Sequence, residues 1–201
     1  AAFGLLCWLW SAGARRSFHL AECIGNRRLD QYGFQMNMNA ANTRYRILFV
    51  CMGNICRSPI AEGVTRGMAQ RAGLAARLEL ASAGTHGHYH KGEPPDPRAR
   101  RVAAKGGYDL SGIRARPVVE ADFAYYDRVL AMDDSNLSVL ESICPEESRA
   151  RLGLFLAYAP ELGVYEVPDP YYGAESGFER VLTLCERAAS GLLAALARGE
   201  I

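Results

Sequence analysis

The chain has 201 residues, 49% of them apolar and 22% charged, with 20 glycines and a formal net charge of +1. That length suits one domain with an appendage and is enough to bury a substantial core, and the composition is that of an ordinary globular protein. The near-neutral balance excludes a global basic field for nucleic acid, so any phosphate must be bound by local geometry.

Residues 1–43 lack a sustained helical or strand period and carry turn formers and scattered charge, as in Gly25-Asn26-Arg27-Arg28 and Asn37-Met38-Asn39. They read as a poorly ordered N-terminal extension, with the domain occupying 44–201. The apolar run Phe3–Trp10 is too short to span a bilayer. It has its arginines, Arg15 and Arg16, after it rather than before it, against a secretory signal. Met36 and Met38 are candidate start codons. The six cysteines, Cys7, Cys23, Cys51, Cys56, Cys144 and Cys185, are too scattered for a disulfide scaffold and include no Cys-x-x-Cys zinc pair. A reducing cytoplasm is the simplest compartment for them.

From Tyr45 onward the pattern becomes regular. Ile47-Leu48-Phe49-Val50 is a continuous apolar run, suited to a strand buried on both faces. Ser58 then offers a helix N-cap and Pro59 a first helical residue, with the helix running to about Ala72 and stopped by Gly73. Leu78–Ser82 reads as a second strand. Asp96-Pro97-Arg98 opens a helix ending near Gly106-Gly107. Arg128–Met132 is a third strand, Ser135–Ile143 a helix, Leu152–Leu156 a fourth strand, and Ser176–Arg198 a long amphipathic final helix. This alternation predicts an α/β fold of three layers, α/β/α, around a four-stranded parallel sheet. Sites in such sheets lie beyond the carboxyl ends of the strands, which is where Cys51 falls.

The segment Cys51-Met52-Gly53-Asn54-Ile55-Cys56-Arg57-Ser58 joins the first strand to a helix N-terminus. Gly53 and Asn54 tolerate positive φ, so the loop can turn successive N–H groups inward as an anion nest. The helix points its positive end at the same spot. Arg57 adds a planar fork matched to phosphate oxygens. Each of these features also favours a thiolate, so Cys51 is expected to be a nucleophile near neutral pH.

Cys51-x5-Arg57-Ser58, flanked by Leu48-Phe49-Val50 and Pro59-Ile60-Ala61-Glu62, resembles the low-molecular-weight protein tyrosine phosphatase family, in its bacterial type by the stretch Glu93-Pro94-Pro95-Asp96-Pro97. Asp169-Pro170-Tyr171-Tyr172-Gly173 resembles that family's general-acid loop, and Ser82-Ala83-Gly84, Asp96-Pro97-Arg98 and Met132–Leu137 match further segments in order. The resemblance covers roughly residues 45–198. It implies hydrolysis of phosphotyrosine in proteins through a phosphocysteine on Cys51. Arg57 would hold the phosphoryl oxygens, and Asp169 would act as general acid and then as base. Met52, Gly53, Asn54, Ile55, Cys56 and Ser58 would form the phosphate-binding loop. In it Asn54 holds the loop by hydrogen bonds and Ser58 supports the thiolate. Tyr171 and Tyr172 would form one wall of the substrate slot and Tyr89 the opposite wall, with the apolar Ile55 on the rim as in tyrosine-directed members. The resemblance also implies a reversible Cys51–Cys56 disulfide that protects the nucleophile. No cofactor or metal is expected, since Arg57 and the loop amides supply the charge a metal supplies elsewhere. His86, His88 and His90 form no fixed ligand set; with Lys91 they read as a basic, solvated loop facing acidic phosphopeptides. The expected partner is a tyrosine-phosphorylated protein, with a bacterial tyrosine kinase as a candidate.

Two other readings compete. An arsenate reductase of the same fold would need two further relay cysteines, and the stretch between Cys56 and Cys144 has none. A non-catalytic phosphate-binding or redox-sensing module would not need Cys51, Arg57 and Asp169 together.

Overall fold

The computed structural model describes residues 44–201. The expectations placed on the N-terminal extension, its apolar run and its candidate start codons lie outside the described residues.

Four parallel strands form one sheet: β1 (Tyr45–Cys51), β2 (Leu78–Gly84), β3 (Arg128–Ala131) and β4 (Leu152–Leu154), in the order β2-β1-β3-β4. The central strand explains the three layers. Its alternate side chains face opposite sides of the sheet. Ile47, Phe49 and Cys51 join one core, with Ile60 and Val64 of α1 (Arg57–Arg71), Val102 of α2 (Pro97–Lys105) and Phe178 of the C-terminal helix (Glu175–Arg198). Leu48 and Val50 join a second core with Phe123 of α3 (Glu120–Tyr125) and Leu140 of α4 (Asp134–Ile143). The C-terminal helix is α5. Ile47 through Val50 are fully buried, as a continuous apolar run between two helical layers requires.

The element boundaries carry three corrections. Helix α1 begins at Arg57, and Ser58 does not cap it: its hydroxyl turns toward Cys51 instead. The fourth strand ends at Leu154, where the chain tightens into a 3-10 turn over Phe155–Tyr158. That turn sets Phe155 edge-on against Phe49, with ring centroids 4.9 Å apart. Helix α3 was not anticipated, because six residues are too few for a helical period to show. Gly73 does stop α1, at φ 70°, with the N–H of Leu74 closing on the Ala69 carbonyl. None of the described helices is long and apolar enough to cross a membrane.

Candidate active site

Cys51 is the last residue of β1 and stands at the carboxyl edge of the sheet, 2% exposed. The chain turns sharply after it. Asn54 takes φ 58°, the one non-glycine residue with positive φ among those described, and its side chain is what holds it there. The Asn54 carboxamide accepts from the Arg116 N–H at 2.9 Å and donates through Nδ2 to Ser58 Oγ at 2.9 Å. The Asn54 N–H points inward and donates to Cys51 Sγ at 3.2 Å. Ser58 Oγ lies 3.1 Å from the same sulfur and 3.2 Å from the Ala83 carbonyl. The sulfur therefore sits at a helix N-terminus, with one backbone donor and one hydroxyl aimed at it.

Arg57, at the start of α1, is 3% exposed. One guanidinium nitrogen, Nη1, pairs with Asp133 and donates to the Val167 carbonyl at 3.2 Å; the other, Nη2, donates to Asp169 Oδ2 at 2.9 Å. Burial works against the charge of Arg57, but Cys51, Asp133 and Asp169 outweigh it and hold its pKa above the ordinary value. Asp169 lies in the connection before α5, its side chain 45% exposed, and its Oδ1 accepts from the Tyr171 N–H at 3.1 Å. A nucleophile candidate, a guanidinium and a carboxyl separated by more than a hundred residues in sequence thus meet in one place.

These groups floor a cleft of about 230 Å³. Met52, Gly53, Ile55 and Cys56 line it from the loop, and the rings of Tyr89, Tyr171 and Tyr172 line it as well. Tyr172 is 98% exposed and packs edge-on against Tyr171 at 5.0 Å. Asn54 and Ser58 do not line the cleft; they are fully buried behind the loop and brace it. Burial, with Asp96, Cys51 and Asp169 nearby, pushes the Cys56 thiol far above the ordinary value. Cys51, Cys56, Cys144 and Cys185 are all free thiols.

Sequence reasoning overlooked Asp133, whose carboxylate both grips Arg57 and caps α4 by accepting from the Asn136 N–H at 2.6 Å. Its signal was position: an acidic residue between a strand and a helix on the sheet's carboxyl edge. The histidine segment is also closer to the site than a solvated loop would be. His86 and His90 line the cleft; the His86 ring lies parallel to that of Tyr89 with centroids 6.4 Å apart, and His90 Nδ1 is 2.8 Å from Glu93. Among the described residues no group of three or more His, Cys, Asp or Glu side chains is placed to hold a metal.

A parallel sheet ending in a Cys-x5-Arg anion loop, with a carboxyl facing it across an aromatic cleft, defines a cysteine-dependent phosphatase. Residues 46–200 match the family model for the low molecular weight phosphotyrosine protein phosphatase. A low molecular weight protein-tyrosine-phosphatase of Streptomyces coelicolor is 45% identical over 155 residues, covering 76% of this chain and 93% of that protein. The human low molecular weight phosphotyrosine protein phosphatase is 39% identical over 149 residues, covering 73% and 92%. A crystal structure of a protein tyrosine phosphatase from Entamoeba histolytica superposes with a TM-score of 0.75 at 40% identity, covering 78% of this chain and 99% of the other. The chain belongs to the low molecular weight phosphotyrosine protein phosphatase family, and its activity is that of a protein-tyrosine phosphatase.

Proposed function

We propose that this chain hydrolyses phosphotyrosine in two displacements. The reading rests on one observation: Cys51 Sγ, the Arg57 guanidinium and the Asp169 carboxyl meet at the floor and wall of one cleft. In the first step the Cys51 thiolate attacks phosphorus, the S–P bond forms and the bond to the tyrosyl oxygen breaks. Asp169 gives its proton to the departing phenolate, which would otherwise be a poor leaving group. In the second step the Asp169 carboxylate takes a proton from water, the water oxygen attacks phosphorus, and the S–P bond returns its electrons to Cys51. Arg57 and the N–H groups of Met52–Arg57 meet the charge on the equatorial oxygens in both transition states. Ser58 donates to the sulfur whenever it is anionic.

The walls favour an aryl ester. The phosphate would reach Cys51 in the cleft while the substrate body stays outside, so the side chain would have to be long and flat enough to reach past the rings of Tyr89, Tyr171 and Tyr172. Phosphoserine is too short. Lys91, in the same segment as the cleft-lining His86 and His90, offers a positive charge suited to acidic residues beside the phosphotyrosine. The substrate class is a tyrosine-phosphorylated protein in the cytoplasm, and a bacterial tyrosine kinase is a candidate to test.

The test is hydrolysis of p-nitrophenyl phosphate and of a phosphotyrosine peptide in EDTA. Wild type turns both over, Cys51→Ser neither, and Asp169→Asn is slower on the peptide by roughly 10²–10⁴-fold. Turnover by Cys51→Ser overturns the covalent route. Capture of phosphoproteins by Cys51→Ser from the native cell identifies the substrate.

A further inference from the structure

A general acid has to be held at the right distance from the leaving oxygen, and the immediate contacts of Asp169 do not do this during turnover. Its Oδ2 is held by Arg57, a group that the reaction diverts to the phosphoryl oxygens. Its Oδ1 accepts from the Tyr171 N–H, which belongs to the same loop and fixes nothing to the body of the domain. The loop is a turn closed on itself by the Gly173 N–H donating to the Pro170 carbonyl at 3.0 Å.

The start of the loop is anchored by the buried Val167, whose N–H donates to the Met132 carbonyl at 2.7 Å, and by the buried Pro170. The part carrying Tyr171 and Gly173 is tied to the body of the domain by Arg98, in the first turn of α2. Its Nη1 donates to the Tyr171 carbonyl at 3.0 Å and to the Gly173 carbonyl at 3.3 Å. Its other edge grips Asp96, with Nε at 3.1 Å from Oδ1 and Nη2 at 2.9 Å from Oδ2. The guanidinium carbon stands 4.6 Å from the ring centre of the buried Phe178 and 5.7 Å from that of Tyr171, so the plane is held from its faces as well. Asp96 is itself fastened to the phosphate loop: its N–H donates to the Ile55 carbonyl at 2.8 Å. A continuous path therefore runs from Ile55 through Asp96 and Arg98 to Tyr171 and Gly173. It joins the loop that carries the nucleophile to the loop that carries the acid, without passing through Arg57.

We propose that Arg98 is a positioning residue for Asp169, setting the distance between the general-acid loop and the phosphate loop once Arg57 has turned to the substrate. The inference rests on Asp169 being the general acid. Arg suits the task where Lys does not, because only a planar fork can meet a carboxylate along one edge and two carbonyls along another.

Misplacing the acid harms most the substrates whose leaving group needs a proton, and this separates a positioning role from a structural one. kcat/KM is measured for wild type, Arg98→Ala, Arg98→Lys, Asp169→Asn and the double variant Arg98→Ala/Asp169→Asn. The substrates are aryl phosphates running from strongly activated nitrophenols to tyrosine, whose phenol has a pKa of about 10. Inhibition by inorganic phosphate is measured alongside, as a report on the phosphate loop. Arg98→Ala is expected to lose on the order of 10²-fold on phosphotyrosine, the usual cost of about 1 Å of misplacement. It should lose far less on the most activated ester and keep wild-type phosphate inhibition. Arg98→Lys should show the same trend in weaker form, and it carries the comparison if the alanine variant does not fold. The double variant should be no slower than Asp169→Asn, since Arg98 acts through Asp169. A loss equal across all leaving groups, or losses that multiply in the double variant, would overturn the proposal. If Asp169→Asn itself shows no dependence on leaving group, the general-acid assignment has failed; if it shows one and Arg98→Ala does not, only the role of Arg98 has failed.

Discussion

Ser58→Ala removes one oxygen from the most tightly determined point of the site. That oxygen has three neighbours: Asn54 Nδ2 at 2.9 Å, Cys51 Sγ at 3.1 Å and the Ala83 carbonyl at 3.2 Å. It has a single hydrogen to give. While Cys51 is a thiol, the S–H donates to Oγ and the hydroxyl donates to Ala83. When Cys51 is a thiolate, the hydroxyl turns its hydrogen to the sulfur. The variant loses that charge-assisted bond, about 1.5–3 kcal/mol, which corresponds to roughly 10- to 150-fold in kcat/KM at 1.36 kcal/mol per factor of ten. The thiolate keeps the Asn54 N–H, so the lower half of that range is expected. Folding suffers separately: the buried Asn54 amide is left without an acceptor, at about 1–3 kcal/mol. The assays are kcat/KM on a phosphotyrosine peptide, the rate of Cys51 alkylation by iodoacetate, and urea unfolding. Wild-type turnover and alkylation beside a lowered unfolding midpoint would refute the reasoning, leaving Ser58 as a strut for the loop and nothing more.

Asp133 has two jobs that different substitutions separate. Asp133→Ser keeps a cap for α4 but frees Arg57, while Asp133→Ala loses both. Both are expected to lose around 10²-fold in kcat/KM through a misplaced guanidinium, and only Ala should lose a further ~1 kcal/mol of stability from the cap; a fully active Ser variant would show that Arg57 needs no such partner. Burial raises the Glu62 carboxyl above its ordinary value despite the Ser82 hydroxyl and Arg66. A carboxyl raised by folding holds its proton more tightly in the native state, so wild-type stability should decline as pH rises from about 4.3, the ordinary Glu value, through the raised one. Glu62→Gln should accordingly gain on wild type in urea midpoint as pH climbs, and a pH-independent difference between the two would contradict this. Peroxide is expected to convert Cys51 to a sulfenic acid; Cys56, although burial raises its pKa, then attacks that sulfur, its own proton leaving with the sulfenic hydroxyl as water to form a disulfide. After peroxide exposure long enough to carry an unprotected sulfenic acid on to the sulfinic stage, wild type should recover with a dithiol and Cys56→Ser should not; equal recovery by the variant would sink the idea.

The layering of the fold was readable because the central strand is apolar at four successive positions, a pattern that only a strand covered on both faces satisfies. The loop after it was readable because Gly, Asn and Arg each have a distinct physical reason to stand at a strand-to-helix anion nest. What the sequence did not disclose falls into two kinds. Short elements such as α3, and the early end of β4 at Leu154, are set by packing; Phe155 leaves the strand to meet Phe49, and no local period announces it. Residues such as Asp133 and Arg98 act across the sheet edge on partners tens of residues away in the chain. Their residue types fit a plain N-cap and a plain surface arginine equally well, so only the tertiary arrangement reveals what they hold.

That arrangement also answers how a chain of net charge +1 can be built to bind a dianion. Arg57 is not an idle cation awaiting phosphate: it is buried between Asp133 and Asp169, and its charge is already balanced in the free protein. A phosphoryl group entering the loop competes with Asp169 for the same guanidinium, while Asp133 and the Val167 carbonyl keep their hold on Nη1. The exchange couples two requirements of the chemistry. In the proposed mechanism, substrate binding replaces the carboxylate on Nη2 and leaves Asp169 free to face the departing oxygen. On the same proposal, after the phenol departs the remaining phosphoryl group would still occupy Arg57, and Asp169 would stand free to take a proton from water. On that proposal one arginine would serve both half-reactions by changing partners, provided that something other than Arg57 keeps the acid loop in place.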